Sequence, residues 1–220
     1  MAASARDEPL GFEVPMTSGD PAGPLPLIVG ISGATGSIYG VRMLEILRSI
    51  GVETHLVVSK AGEVTLRHET GFTLRDLREI GHVTYPIGDI GAAISSGSFK
   101  TAGMVIAPCS IRTMSAIAYG NSDNLLTRAA DVILKERRRL VLMLRETPLN
   151  LVHINAMKAV TEAGGIIAPP VPAFYINPDS IDDLVNHTVA RVLDLFGLDL
   201  GDRVKRWGGL RTARSDVAPE

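Results

Sequence analysis

The feature that most constrains this chain is an apolar run at residues 27–31 that breaks into a glycine-rich turn at 32–36. The run favours a buried strand, and the apolar residues that recur at three-residue steps after the turn predict an amphipathic helix over Ser37–Ser49. A strand, a glycine turn and a helix start expose backbone N–H groups to which a phosphate or a flavin edge can bind. Glycine can also serve here for steric reasons alone, so the turn leaves both interpretations open.

Composition narrows the class of protein. The 220 residues suffice for one domain with a buried core, and the net charge of −2 gives no argument for a nucleic acid or an anionic membrane as partner. A single cysteine, Cys109, excludes an intrachain disulfide and favours a reducing compartment, which we take to be the cytoplasm.

The ends of the chain differ in composition from its middle. Residues 1–24 predict a disordered extension with neither a secretory signal nor an apolar core, residues 25–207 the folded domain, and residues 208–220 a flexible tail. No apolar run has the length needed to cross a bilayer, so we expect no membrane segment.

Apolar runs alternate with helical patterns along the domain. Strands are predicted at Leu27–Ser32, His55–Ser59, Met104–Pro108, Leu140–Leu144 and Gly165–Ala168. Helices are predicted at Ser37–Ser49, Ala61–Glu69, Leu74–Glu79, Thr113–Ala118, Leu125–Arg138, Asn150–Ala163 and Ile181–Phe196. This order predicts an α/β fold, a single domain with a parallel sheet and helices on both faces.

Polar segments follow four of these strands where each ends. They are Ser32–Ser37, Ser59-Lys60, Cys109–Thr113 and Arg145-Glu146. Because ligands bind outside the carboxyl ends of the strands in open α/β sheets, we expect one pocket lined by hydroxyls, glycine backbone and arginines.

Each candidate also has a plain structural explanation. Ser110 can simply cap a helix, Arg145 and Glu146 can form an ion pair, and Lys135 can pair with Asp131 on a solvated helix face. Tyr175 can close the sheet as an apolar plug, and Glu69 and Arg191 can be surface charges. Cys109 fits a small buried hydrophobe, and the five histidines show no metal-ligand spacing.

Several short motifs occur in an order that resembles the UbiX-type flavin prenyltransferases, including the B subunits of phenolic acid decarboxylases. The motifs are Gly30–Gly36, Ser59-Lys60, Ser95–Ser98, Pro108–Ser110, Arg128–Val132, Leu134–Glu136, Arg145-Glu146, His153–Met157 and Pro172–Tyr175. The resemblance extends over residues 25–207.

The resemblance implies a flavodoxin-like or Rossmann-like fold that binds FMN and assembles into a homo-oligomer, usually a dodecamer. It implies transfer of a dimethylallyl group from dimethylallyl phosphate to N5 and C6 of reduced FMN, without a metal. The prenylated FMN then serves a partner UbiD-type decarboxylase.

The resemblance also implies roles for individual residues. Contacts to FMN are expected from Gly33, Ala34, Thr35, Ser59, Ser110, Ile111, Arg112, Thr113 and Arg145. The phosphate of the prenyl donor is expected among Lys135, Arg145, Tyr175 and Arg191. Glu146 is expected to transfer a proton to the leaving phosphate, and Glu69 to manage protons during ring closure.

Two positions depart from the family pattern. Thr35 stands where many members have Ser, and Leu144 precedes Arg145 where Pro is common, which can change the angle of the Arg145-Glu146 pair. Three alternatives stay open: an FMN-dependent cysteine decarboxylase, whose Pro-x-Met-Asn motif this chain lacks, a non-catalytic flavin carrier, and a decarboxylase subunit active by itself.

Overall fold

The fold is built on a six-stranded parallel sheet with the strand order β3-β2-β1-β4-β5-β6. It is seen in a computed structural model that describes residues 24–201. The strands are β1 Leu27–Ile31, β2 Thr54–Val58, β3 Val83–Tyr85, β4 Gly103–Cys109, β5 Arg139–Leu144 and β6 Ile166–Ile167. The predicted α/β class with a single domain and a parallel sheet is confirmed.

Helices cover both faces of the sheet. They are α1 Ser37–Ser49, α2 Lys60–Thr70, α3 Leu74–Ile80, α4 Ile111–Ala118, α5 Leu125–Lys135, α6 Leu151–Glu162 and α7 Ile181–Asp194, with short 3-10 turns at Ala93–Ser95 and Phe174–Ile176. Successive residues of a strand point to opposite faces. In β1, Val29 therefore packs in the core beneath α1 and α7, whereas Ile28 packs in the core beneath α4, α5 and α6.

The strand order reverses direction between β1 and β4. β1 pairs with β2 on one side and with β4 on the other. The connection from β1 to β2 crosses one face of the sheet, and the connection from β4 to β5 crosses the opposite face. Neighbouring loops diverge at such a switch point and open a crevice above the carboxyl ends of the two strands. The expected position of a ligand is therefore the space between residues 32–36 and residues 109–113.

The structure corrects the predicted elements at a few places. The short strand β3 was not predicted, α4 begins at Ile111 instead of Thr113, and α5 ends at Lys135 instead of Arg138. Arg137 adopts a left-handed conformation, with φ of 56°, that turns the chain into β5. In the charged run after α5, the Arg138 guanidinium donates to the backbone oxygens of Gly97 and Phe99, so this part of the run is not wholly solvated.

The predicted extension and tail lie almost entirely outside the described residues, as do residues 202–207 of the predicted domain. Between residues 24 and 201, no helix has both the length and the apolar character needed to cross a membrane.

A buried serine joins the two strands at the switch point. Ser32, which is 1% exposed, donates its hydroxyl to the Pro108 carbonyl at 3.1 Å and accepts from the Ser110 N–H at 2.8 Å. Its own N–H also donates to the Pro108 carbonyl at 3.1 Å. One side chain therefore sets the distance between the two loops that border the crevice.

Replacing this hydroxyl should destabilise the protein. We expect Ser32→Ala to lower the free energy of unfolding by about 1–3 kcal/mol, because the partly buried Ser110 N–H loses its acceptor. Urea denaturation measures the loss. As a matched control, Ser49→Ala removes an exposed hydroxyl that bonds only to Ile46 of its own helix, and should change stability by less than about 0.5 kcal/mol. Equal losses in the two variants would contradict the bridging role of Ser32.

Candidate active site at the carboxyl edge of the sheet

The glycine turn lies at the bottom of the crevice, and its glycines have steric causes. A Cβ on Gly33 would lie 2.4 Å from the Cβ of Ala61, so this glycine lets the turn approach the start of α2. Gly36 has a φ of 97°, which L side chains rarely adopt, and it immediately precedes α1. The steric explanation of the turn is therefore correct at both positions, and it leaves room for the ligand-binding one.

Glu69 caps the helix that starts at this turn. Its Oε2 accepts from the N–H groups of Gly36 and Ser37, both at 2.9 Å, so the last turn of α2 reaches across the carboxyl edge to the start of α1. Burial tends to raise the pKa of this carboxyl, but hydrogen bonds from the Thr35 hydroxyl and the two N–H groups outweigh it and hold the pKa below its ordinary value. A carboxylate at a helix N-terminus also interacts favourably with the helix dipole.

Two further helices begin at the same edge, each capped by a serine. Ser59 accepts from the Gly62 N–H at 3.0 Å at the start of α2, and Ser110 accepts from the Thr113 N–H at 3.3 Å at the start of α4. The capping expected of Ser110 is confirmed. The first N–H groups of a helix have no partner within the helix, and such groups bind anions well.

Arg112 is directed away from the crevice. Its guanidinium lies 4.0 Å from the Asp123 carboxylate and its side chain is 91% exposed, so only its backbone belongs to the start of α4.

Arg145 and Glu146 lie at the end of β5, beside the same crevice. Leu144 is buried and paired with Cys109, and the Arg145 N–H donates to the Cys109 carbonyl at 3.1 Å. Burial raises the pKa of the Tyr39 hydroxyl in the first turn of α1, and the positive charge of Arg145 opposes that rise.

Within residues 24–201, neither Arg145 nor Glu146 forms an ion pair. The explanation of this dipeptide as a structural ion pair is therefore not supported. Glu146 instead accepts from the Thr147 N–H at 3.0 Å.

Tyr175, in the 3-10 turn before α7, contacts α7, and Arg191 lies on α7 itself. The Tyr175 hydroxyl is 3.0 Å from Nε2 of His187, and Arg191 follows His187 by four residues, which places the two on the same side of the helix. The start of α7 lies beside the first half of α1, where Asn186 accepts from Arg42 at 2.8 Å. Phe196, just after α7, lies against Gly103 at the start of β4. Arg191, in the last turn, is therefore near the amino edge of the sheet.

Lys135 also lies at the amino edge. It ends α5 just before β5, whereas Arg145 follows β5, so a strand length of about 20 Å separates them. The Lys135 ammonium pairs with Glu136 and lies beside Gly97, and Asp131 pairs with Arg128 at 2.9 Å instead of with Lys135. The four polar segments expected to share one pocket all follow their strands at the carboxyl edge, whereas within one chain Lys135 and Arg191 do not lie with Arg145, as the expected phosphate site requires.

The other titratable candidates fit the structure without a chemical role. Cys109 is fully buried, and the loss of hydration raises the pKa of its thiol, so it behaves as the small hydrophobe that the sequence predicts. No group of three or more His, Cys, Asp or Glu suited to a metal ion occurs among residues 24–201.

Comparisons with known proteins agree with this architecture. A family model described as Flavoprotein matches residues 16–193. The flavin prenyltransferase UbiX of Neisseria meningitidis is 57% identical over 184 residues, which are 84% of this chain and 97% of the relative. The corresponding enzyme of Escherichia coli K12 is 57% identical over 185 residues, which are 83% of this chain and 98% of the relative.

The chain belongs to the UbiX family of flavin prenyltransferases. It is thus a transferase of the flavoprotein class. A solved structure of AnUbiX (PadA1) with FMN and dimethylallyl pyrophosphate has a TM-score of 0.83 and 48% identity, and covers 84% of this chain and 98% of its own. A dodecameric UbiX-like protein from Escherichia coli O157:H7 has a TM-score of 0.81 and 47% identity, and covers 84% and 100%.

The cysteine decarboxylases are more distant from this flavin prenyltransferase. One from thioviridamide biosynthesis has a TM-score of 0.55 and 20% identity, and covers 76% of this chain and 99% of its own, which shows a shared fold alone. The 57% identity to named flavin prenyltransferases therefore favours prenyl transfer over cysteine oxidation.

The groups that border the crevice suit the chemistry of FMN. The serine-capped starts of α2 and α4 and the Arg145 guanidinium suit an anionic phosphate. Thr35 is exposed, and the turn at Gly33 is tight. A flat ring system could therefore contact the backbone of the turn and a small polar side chain. Since Glu69 already occupies the first N–H groups of α1, an anion has better partners at α2 and α4.

The cap made by Glu69 predicts a pH dependence of stability. Because its pKa is lower in the folded protein, the stabilisation is complete above the ordinary pKa of 4.5 and is lost as the pH falls through the folded value. We expect Glu69→Gln to cost about 0.5–1 kcal/mol at neutral pH and low salt, with the difference from the parent vanishing in acid. Urea melts between neutral and acid pH measure this. A control, Glu162→Gln, removes a surface partner of Lys158 and should show a smaller difference, and a Glu69→Gln difference that grows in acid contradicts the cap.

Proposed function

We propose that the protein transfers the dimethylallyl group of dimethylallyl phosphate to N5 and C6 of reduced FMN. The observation that carries this proposal is the crevice at the β1–β4 switch point, bordered by two serine-capped helix starts and Arg145, in a chain 57% identical to named flavin prenyltransferases. AnUbiX, 48% identical, was solved with FMN and dimethylallyl pyrophosphate, which supports the same pair of ligands here.

The residues at the carboxyl edge would hold FMN. Gly33, Ala34 and Thr35 would lie against the ring system, and Ser59, Arg145 and the backbone of residues 110–113 would bind its polar groups. Reduced FMN, when bound, supplies the electron-rich atoms that accept the prenyl group. The protein's part is to orient the ring and exclude water from it.

The cationic residues would stabilise the leaving phosphate. Breaking the allylic C–O bond places negative charge on the phosphate, and fixed positive groups lower the energy of that transition state. Arg145, Lys135 and Arg191 would provide this charge, and Tyr175 a hydrogen bond. Glu146 would give a proton to the departing phosphate, and Glu69 would accept or return protons near the ring.

These groups would come together only in an oligomer. Lys135 and Arg191 lie away from the crevice of their own chain, so we infer that a neighbouring copy supplies them. Large exposed apolar side chains support such contacts between copies: Leu151, Val152, Phe174 and Ile181. A relative 47% identical is described as dodecameric, and we propose a similar assembly for this chain.

Two further parts of the proposal follow from the resemblance and the sequence. The product would pass to a UbiD-type decarboxylase, because prenylated FMN is made for such a partner. The single buried thiol of Cys109 favours a reducing compartment, in keeping with the cytoplasm.

Lys135 provides the test of the leaving-group assignment. We expect Lys135→Ala to keep FMN and its yellow colour but to lower the rate of prenyl transfer by about 10²–10³-fold, because a charge that stabilises the leaving phosphate is lost. Mass spectrometry of the flavin after incubation with dimethylallyl phosphate gives the rate. The matched control is Lys158→Ala, which removes a surface lysine paired with Glu162 and should leave the rate unchanged. Equal rates in the two variants contradict the assignment, and no mass gain with the parent protein rejects the function.

A mixed oligomer tests whether sites are shared between copies. Lys135→Ala and Glu146→Gln should each be nearly inactive alone. Co-expressed in equal amounts, they should regain about a quarter of the parent activity if each site combines Lys135 of one copy with Glu146 of another. A mixture as inactive as its components would show that both residues act within the same chain.

A further inference from the structure

An exposed tyrosine is anchored on a buried histidine at α7. The Tyr175 hydroxyl lies 3.0 Å from Nε2 of His187, and the two rings meet edge to face with centroids 5.6 Å apart at 86°. His187 is 6% exposed and Tyr175 is 52% exposed. The imidazole is therefore part of the rigid helix packing, whereas the phenol lies at the surface.

We propose that His187 is a positioning residue that orients the Tyr175 hydroxyl toward the phosphate of the prenyl donor. This rests on the proposed function, in which Tyr175 donates a hydrogen bond to that phosphate. Neither the motifs of the sequence nor the comparisons assign a role to His187.

The loop alone gives Tyr175 little support. Tyr175 lies in a 3-10 turn that is three residues long, followed by Asn177 in a left-handed conformation with φ of 49°. A helix fixes its side chains better than such a turn does, because each residue is held by packing on both sides. The contact with His187 thus transfers the rigidity of α7 to the phenol.

The direction of the hydrogen bond decides what the hydroxyl can do. When Nε2 carries a proton, the imidazole donates to the phenol oxygen, and the phenol proton can be directed to an anion. When Nε2 lacks the proton, it accepts the phenol proton itself. The proposal therefore requires the tautomer with Nε2 protonated when the phosphate is bound.

The position of Arg191 supports an anion at this place. Arg191 follows His187 by one helical turn on α7, and its guanidinium donates to the Asp194 carboxylate at 2.8 Å with 58% of its side chain exposed. A phosphate bound there would meet the Tyr175 hydroxyl from the 3-10 turn and could replace Asp194 as the partner of Arg191 on α7.

The experiment is a double-mutant cycle on the FMN-loaded protein. The variants are His187→Phe, which keeps a flat ring but no hydrogen bond, Tyr175→Phe, the two combined, and His187→Gln, whose amide can still donate. KM and kcat are measured with dimethylallyl phosphate, and the Kd of inorganic phosphate is measured by calorimetry. Should His187→Phe fail to fold, His187→Asn takes its place, because the shorter amide does not reach the hydroxyl.

We expect His187→Phe to raise KM and the phosphate Kd about 5–10-fold with little change in kcat, and His187→Gln to stay within about twofold of the parent. In the Tyr175→Phe background, His187→Phe should have no further effect. An unchanged His187→Phe variant, or an effect of the same size in both backgrounds, overturns the positioning role.

The two readouts separate this inference from the function on which it rests. Normal prenyl transfer with additive effects contradicts the positioning role alone. A lack of prenyl transfer by the parent, with the two residues still coupled in phosphate binding, contradicts the proposed function alone.

Discussion

The site depends on how β1 and β4 are held together where their connections diverge. The following loops turn to opposite faces, and the backbone bond from the Ser32 N–H to the Pro108 carbonyl is the last direct link between the two strands, so a further contact there strengthens the crevice. Ser32 provides it, since its buried hydroxyl donates to Pro108 and accepts from Ser110. The glycine turn is fixed by the exposed Glu69, whose carboxylate accepts from the N–H groups of Gly36 and Ser37 at the start of α1. Anions are consequently left to the neighbouring starts of α2 and α4.

The chemistry is divided between the two edges of the sheet. Groups suited to hold a flavin lie at the carboxyl edge, whereas Lys135 lies at the amino edge beside Gly97, a strand length away. The extended strand β5 separates Lys135, at the end of α5, from Arg145. No local rearrangement can therefore bring the two residues together within one chain. We therefore propose a site that is shared between copies. The exposed apolar residues fit this proposal, because contacts between them would hold the carboxyl edge of one copy near the amino edge of another.

Much of this fold could be predicted from the sequence, for physical reasons. The long buried strands β1, β4 and β5 are apolar runs in the sequence, and the helical spacing of apolar residues placed the ends of α1, α6 and α7 to within two residues. The strand β3 escaped prediction because it has three half-buried residues at the edge of the sheet and no apolar run. Serine caps such as Ser110 follow from residue type and position. Local patterns do not encode contacts between residues that are distant in sequence. Three features depend on such contacts: the bridge made by Ser32, the cap that Glu69 makes on Gly36, 33 residues away, and the anchoring of Tyr175 by His187. The place of Lys135 was predictable in principle, because a residue before a strand and one after it lie at opposite edges.

The central claim is that the flavin crevice of one copy is completed by Lys135 of another. A structure of the assembled protein with FMN and dimethylallyl phosphate bound measures this most directly. The account predicts the flavin ring against Ala34 and Thr35 of one copy, with the Lys135 ammonium of a second copy within hydrogen-bond distance of the donor phosphate. A flavin bound away from the β1–β4 crevice, or a Lys135 that faces solvent far from every bound phosphate, would contradict it.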